Sequence, residues 1–294
     1  MLTLTDPLNN IVDSKTFGSI QTNNSYGRIP DGGGTWCFLS PPTPKDTNDF
    51  STCFAGYVQS PSFTLPSGFY PGTQTLGINV PASTVVYYTR NGNIPTPSDP
   101  VYTTPFTIDS TQVIRARAFS LSGTYLPGAT ITNTYFINEN ISLPVVSLCT
   151  DSLNLWDWNT GMYVMGPDAD TTTPPYSNAN FWKGFKKEAH AEYFDKNKNL
   201  GFEQDCATEI HGNFSKAWPQ KSFRVMANDD YGDPYINYKI FPGKNIDKFR
   251  SFNIRNAGID WNTCHFRDRL MHGIVENKTD IDIMEGEAVV LFLN

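Results

Sequence analysis

Charge is scarce in this chain. Of 294 residues, 17% are Asp, Glu, Lys or Arg, against roughly a quarter in an average soluble domain. Basic charge is scarcer still: the formal net charge is −7 and the densest basic cluster, KGFKKEAH at Lys183 to His190, has Glu188 inside it. A nucleic-acid binder needs a basic stripe to neutralise phosphates, so that class is excluded. Long apolar runs are missing as well. Nothing approaches the ~18 consecutive apolar residues of a membrane-spanning helix, and MLTLTDPLNN has neither the basic nor the apolar region of a signal peptide. The five cysteines, Cys37, Cys53, Cys149, Cys206 and Cys264, contain no C-x-x-C pair. A cysteine-built zinc site is therefore not expected, and buried thiols or one incidental disulfide both fit. The four histidines show no H-x-x-x-H spacing, and His211, before Gly212, reads as structural. Neither a G-x-S-x-G elbow nor a Walker-type phosphate loop occurs.

What is abundant is turn and strand material: 21 Pro, 22 Gly and 14% aromatics. Such a composition points to a mostly β, multidomain protein. The chain has room for about two domains, each able to bury its own core. Residues 1–45 hold short strand signals, MLTLTD, NIVDSKTFG and SYGRIPDGGGTWCFLS, and end at the boundary-like PPTP of Pro41 to Pro44. Over 57–138, strands recur at short spacing with turns such as Asn91-Gly92 and Ser122-Gly123 between them, the pattern of an Ig-like β-sandwich. In VIRARAF, Ile114, Ala116 and Ala118 share the parity expected to face the core.

Residues 143–294 read as α+β. LPVVSLCTD is a continuous apolar run and hence a buried strand; GMYVMG and AHAEYFDKNKNLGFEQDCATEIHG look like hairpins. Asp195 to Gly201 tempts a calcium reading, but Leu200 and Cys206 stand where an EF-hand wants Gly and Glu, so a plain turn is expected. From Thr263 to Asn277, Phe266, Leu270 and Ile274 recur at i+4 beside Met271, which predicts a helix capped by Asn262 or Thr263 and ending near Asn277. EAVVLFLN reads as a final buried strand, and on that ground the chain is expected to be a fragment of a longer protein.

In the strand SFRVM, Lys221 shares the parity of Phe223 and Val225 and so points toward the apolar face. A cation there needs partners, or must lie at the strand end and reach water.

Three stretches resemble known families. SYGRIPDGGGTWCFLSPPTPKDTN is similar to the final strands of a lamin-tail domain. Gly68 to Ile137, through GFYPGTQTLGI, VVYYTRNGNIPTPSDPVYTTPFTI, VIRARAF and TNTYFI, resembles the small β-sandwich at the C-terminus of chitobiase-type hexosaminidases. Asn91 replaces the usual acid of that family's Y-T-x-D-G turn, and Asn-Gly suits a tight hairpin equally well. Leu143 to Asn294 resembles the first half of the spore-coat protein H (CotH) kinase-like family, through LPVVSLCTD, TGMYVMG, EYFDKNKNLGFEQD, EIHGNFSKAWPQKSFRV, FNIRNAGIDWNTCHFRDRLM and AVVLFLN.

The last resemblance implies a secreted or surface protein whose parent is an atypical protein kinase, using ATP with Mg or Mn on a protein substrate. It implies that Lys221 reaches the nucleotide phosphates and that an acid of the following helix, Asp268 ahead of Glu276, holds it; Arg267 is a further phosphate candidate. The metal-binding acids of the family lie beyond Asn294, so the chain by itself is expected to be inactive. The alternative is a non-catalytic surface protein for adhesion or polysaccharide binding, with Tyr87, Tyr88, Tyr102 and Tyr125 as sugar platforms or as ordinary packing.

Overall fold

The computed structural model describes every residue except Asn277, so the helix end expected there lies outside the described residues. The chain divides into two compact units: Met1–Pro61 with Val80–Val86 and Ala118–Ala129, and Ser62–Asn79 with Tyr87–Arg117 and Thr130–Asn294.

In the smaller unit, Leu2–Thr5 pairs antiparallel with Ile11–Lys15 across a turn held by Asp6, whose Oδ1 accepts from Leu8 N and Asn10 N. A second sheet joins Ser25–Arg28, Trp36–Ser40 and Thr52–Phe54. Leu39 is its fully buried centre. Cys37 and Cys53 form a disulfide, the one-disulfide outcome among those left open by the spacing. The sheet continues past the PPTP stretch, because Thr52–Phe54 lies against Trp36–Ser40.

The larger unit begins with strands in sandwich style. Gln112–Ser120 runs antiparallel to Ile131–Ile137, which pairs parallel with Gly68–Tyr70. Gln74–Leu76 pairs with Phe106–Ile108 on a second small sheet. Leu76, Ile108, Ile114, Tyr135 and Ile137 fill the space around them. Ile114 and Ala116 are fully buried as their parity predicts, but so is Arg115 on the opposite parity. This strand is covered on both faces: Arg115 donates to Thr132 Oγ1 and to the Gly92 carbonyl. The Asn91-Gly92 turn does not close a tight hairpin. After it the chain runs irregularly until one bridge pairs Tyr87 with Val101, and the Asn93 side chain accepts from Ser152 N.

A six-stranded sheet follows, in the order Ser251–Ile254, Ser222–Met226, Leu200–His211, Lys187–Phe194, Val145–Cys149, Val290–Leu293. All neighbours are antiparallel except the last pair. The expected strand at LPVVSLCTD and the hairpin around Asp195 are both present, and Asp195 Oδ1 closes the turn by accepting from Asn197 N and Asn199 N. One sheet face carries Leu148, Ala191, Tyr193, Cys206, Phe223 and Val225 into a core shared with Leu155, Met162, Phe181 and Ile236. Each Leu, Ile, Val, Met or Phe among them, withdrawn from water, stabilises the fold by about 1.5–3 kcal/mol. The other face is polar around Ser147, His190 and Glu192, with Phe194 packed on Phe136 and Phe69 nearby.

Two expectations need correction. GMYVMG is not a hairpin: Met162 N and Tyr163 N donate to Asn154 and Leu155 in the short helix Ser152–Trp156, so their backbone groups are satisfied without a strand partner. The helix expected from Thr263 spans Arg267–Val275. Neither Asn262 nor Thr263 caps it; Asp260 Oδ2 accepts from Arg267 N instead. Its apolar residues Phe266, Leu270, Met271 and Ile274 are all more than half exposed. The opposite, charged side anchors it: Arg269 bridges Glu276 and Glu285, and Lys244 reaches the same two carboxylates.

Candidate functional site

The strand Ser222–Met226 starts one residue after Lys221, which follows the 3-10 turn Phe214–Ala217 and the Trp-Pro-Gln link. Lys221 N donates to Tyr163 Oη at 3.2 Å rather than to a ladder partner, and Tyr163 Oη in turn donates to the Pro219 carbonyl at 2.9 Å. Asn256, buried on the strand's far side, accepts from Ser222 Oγ and donates to the Gln220 carbonyl, which fixes the link from behind. The backbone of the lysine is therefore rigid.

Its side chain does not reach for water: Lys221 is 6% exposed. Nζ donates to the carbonyls of Lys216 (2.7 Å) and Trp218 (3.2 Å) and sits 3.9 Å from the Phe181 ring centroid. Among the described residues it has no carboxylate partner. Desolvation without a counter-charge lowers its pKa to about 8. The ammonium is thus held by neutral oxygens and a ring face, an arrangement that leaves its charge uncompensated.

Lys221 lines an open cavity of about 640 Å³ whose walls include Tyr163, Tyr176, Phe181, Trp218 and Trp261. Trp218 stacks on Trp261 at 5.8 Å, and Trp261 Nε1 is tied to Gln220 Oε1. Trp218 Nε1 is buried and has no hydrogen-bond partner. A lining that contains Lys221 and no acid favours an anionic or carbonyl-bearing ligand, and the broad aromatic walls suit a flat or ring-shaped one.

The other sequence candidates lie elsewhere in the network. Asp268 Oδ2 pairs with Arg255 at 2.7 Å, with both side chains about half exposed. Arg267 pairs with Asp260 at 3.2 Å. The Asp260 carboxylate is held far below the usual range by donors from Thr263, Arg267 N and Cys264. Glu276 is taken by Lys244 and Arg269. The structure brings none of the three acids to Lys221.

Sequence reasoning missed Phe181, Tyr163, Trp218 and Trp261. Only Trp218, inside the WPQK phrase, carried a local signal; the others reach the lysine from separate segments. Tyr88 and Tyr102, two of the proposed sugar platforms, pack on Phe106, with Arg90 over its ring.

An antiparallel sheet with a buried strand-entry lysine, following a small β-sandwich, defines an α+β domain with an appended β module. Residues 208–294 match the family model CotH kinase protein, and residues 65–131 match Chitobiase/beta-hexosaminidase C-terminal domain. The chain thus carries a segment similar to the CotH kinase family, preceded by a chitobiase-type module. Comparison with curated proteins and with solved structures gives no match.

Proposed function

We propose that the chain supplies the nucleotide-engaging part of a kinase-like phosphotransferase, with Lys221 on the phosphates of ATP and a protein as acceptor. The observation that carries this reading is the uncompensated ammonium of Lys221 at the wall of an aromatic cavity. A phosphate oxygen arriving there would replace neutral carbonyls with a full negative charge in a charge-assisted hydrogen bond, about twice as strong as a neutral one. The cavity also fits the base: Tyr163, Tyr176, Trp218 and Trp261 present ring surface for stacking. No carboxylate is among the lining residues, so the Mg or Mn that ATP brings would take its protein ligands from outside this wall. Asp268 and Arg267 serve this reading only if the helix Arg267–Val275 shifts when nucleotide binds, releasing them from Arg255 and Asp260. The protein works outside the cell, at the surface or secreted, in keeping with the chitobiase-type module.

The test is calorimetric titration of the chain with ATP, with and without Mg or Mn, for wild type and Lys221→Met. The expected result is binding to wild type and at least tenfold weaker binding to the variant. A well-folded wild type without affinity for ATP overturns the proposal.

A second reading rests on the same cavity. Stacked Trp218 and Trp261 are a surface on which sugar rings can lie, and in that case the protein binds polysaccharide at the surface without catalysis. Soluble oligosaccharides in the same titration separate the two readings.

A further inference from the structure

The polar face of the six-stranded sheet places four titratable side chains in a square. His190 is paired across the ladder with Asp205, and Glu192 with Glu203. Because His190 and Glu192 are two residues apart on one strand, all four share one face. His190 Nδ1 and Asp205 Oδ1 are 2.7 Å apart. In the neutral ring with Nδ1–H given to that carboxylate, the lone pair is on Nε2, and Nε2 is buried without a hydrogen-bond partner. His190 itself is only 9% exposed. A ring nitrogen of His190 and one carboxylate oxygen from each of Glu192 and Glu203 all lie within 4.8 Å of one another.

An imidazole held by one carboxylate, with oxygens of two more carboxylates within 4.8 Å of a ring nitrogen, is the arrangement by which proteins prepare histidine for a metal. Glu192 is prepared too. It is 1% exposed, and its oxygens accept from the hydroxyls of Ser67 and Thr134 and from Thr134 N. Glu203 is exposed and provides the way in from solvent.

We propose that His190, Glu192 and Glu203 bind one divalent transition-metal ion of the zinc class, with Asp205 as the residue that positions the imidazole. One nitrogen and two carboxylate oxygens match that ion, which takes both donors at about 2.0–2.2 Å and leaves a fourth position for water. Calcium and magnesium, which take shells of oxygen, are disfavoured by the imidazole. The ion would tie the sheet to Ser67 and Thr134 of the preceding strands through Glu192, and so act as a structural staple. The site is separate from Lys221 and does not depend on the nucleotide reading.

The test uses the full chain, stripped with EDTA and titrated with Zn²⁺ by calorimetry and with Co²⁺ by visible absorption, in the absence of nucleotide. The expected result is one equivalent per chain, the intense visible bands of low-coordinate Co²⁺, and a higher melting temperature with Zn²⁺. Glu203→Gln weakens binding 10–100-fold and is expected to fold, since the residue is exposed; His190→Gln abolishes binding, and Lys221→Met leaves it unchanged. The proposal is overturned if folded wild type takes up no stoichiometric Zn²⁺, if Glu203→Gln binds as wild type does, or if Ca²⁺ competes equally.

Discussion

The ammonium of Lys221 lies 3.9 Å from the centre of the Phe181 ring, with the carbonyls of Lys216 and Trp218 as its hydrogen-bond acceptors. The ring and both carbonyl groups are neutral. The cation is kept inside the protein by a ring face and by the loop that precedes it.

That arrangement makes stability depend on alkaline pH. The folded pKa is about 8, below the 10.5 of an unhindered lysine. Between those values the unfolded chain holds the proton more firmly, so stability rises as pH climbs through the window and is unaffected by this group below it. The gain is on the order of 1–2 kcal/mol after allowance for screening at the open cavity. Urea unfolding at pH 7.5 and 10.5 should show wild type gaining on Lys221→Met by that amount; parallel behaviour of the two proteins refutes it.

Asp268 gives a contrasting case. Its pair with Arg255 is about half exposed on both sides, so Asp268→Asn should change stability by no more than about 0.5 kcal/mol. If Asp268 engages Lys221 in the nucleotide complex, the same variant weakens ATP binding as Lys221→Met does, and the double variant is no worse than either single one. Additive losses in the titration would show that the two residues act apart.

Asp260 should prove more consequential than its neighbours. It accepts from Arg267 N at the start of the helix and from Thr263 and Cys264 before it. Asp260→Ala should lower hydrogen-exchange protection across residues 267–271 several-fold while leaving the strand Ser222–Met226 protected. Because the folded carboxyl is held below its usual range, this contribution is present above the unfolded pKa and is lost as pH falls through the acid range. Equal protection in variant and wild type would remove Asp260 as the cap.

The disulfide between Cys37 and Cys53 closes a short loop, with a sequence separation of 16. Loop closure of that length is worth about 3 kcal/mol. Reduction, or Cys37→Ser with Cys53→Ser, should make the segment around Trp36–Ser40 protease-sensitive first, while cleavage of the six-stranded sheet stays slow. Simultaneous cleavage of both regions would argue against a local role.

Gly92 has φ of +77° and lies against Asn294, where a Cβ would overlap the asparagine side chain. Gly92→Ala therefore combines a left-handed penalty of roughly 1 kcal/mol with displacement of the hydrogen bonds that Asn294 exchanges with Thr150. A melting temperature lowered by several degrees is expected; an unchanged one would mean that the Asn294 contact is dispensable.

Strands with one-dimensional signals were legible. The run at Val145–Cys149, the hairpin closed by Asp195 and the parity of Lys221 with Phe223 and Val225 can all be read from neighbours in sequence. Properties that depend on a second layer could not be. Arg115 sits on a parity that reads as outward, and its burial follows from Gly92 and Thr132 covering it. The i+4 pattern of Phe266, Leu270 and Ile274 announces a helix correctly but says nothing of which side is covered, and here the charged side is held. The lysine's position was readable, whereas its aromatic surroundings come from residues 163, 181, 218 and 261, assembled only by the fold.

The parallel pairing of Val145–Leu148 with Val290–Leu293 has a bearing on synthesis. On the ribosome, every other strand of that sheet can find its partner as soon as it emerges, but the VVSLC strand must wait with one edge open until the residues around 290 are made. A row of unpaired amides on a strand with four apolar residues out of five is a docking edge for other chains. Expression at low temperature, with slow elongation and chaperones in excess, addresses the period in which this protein is most prone to aggregate.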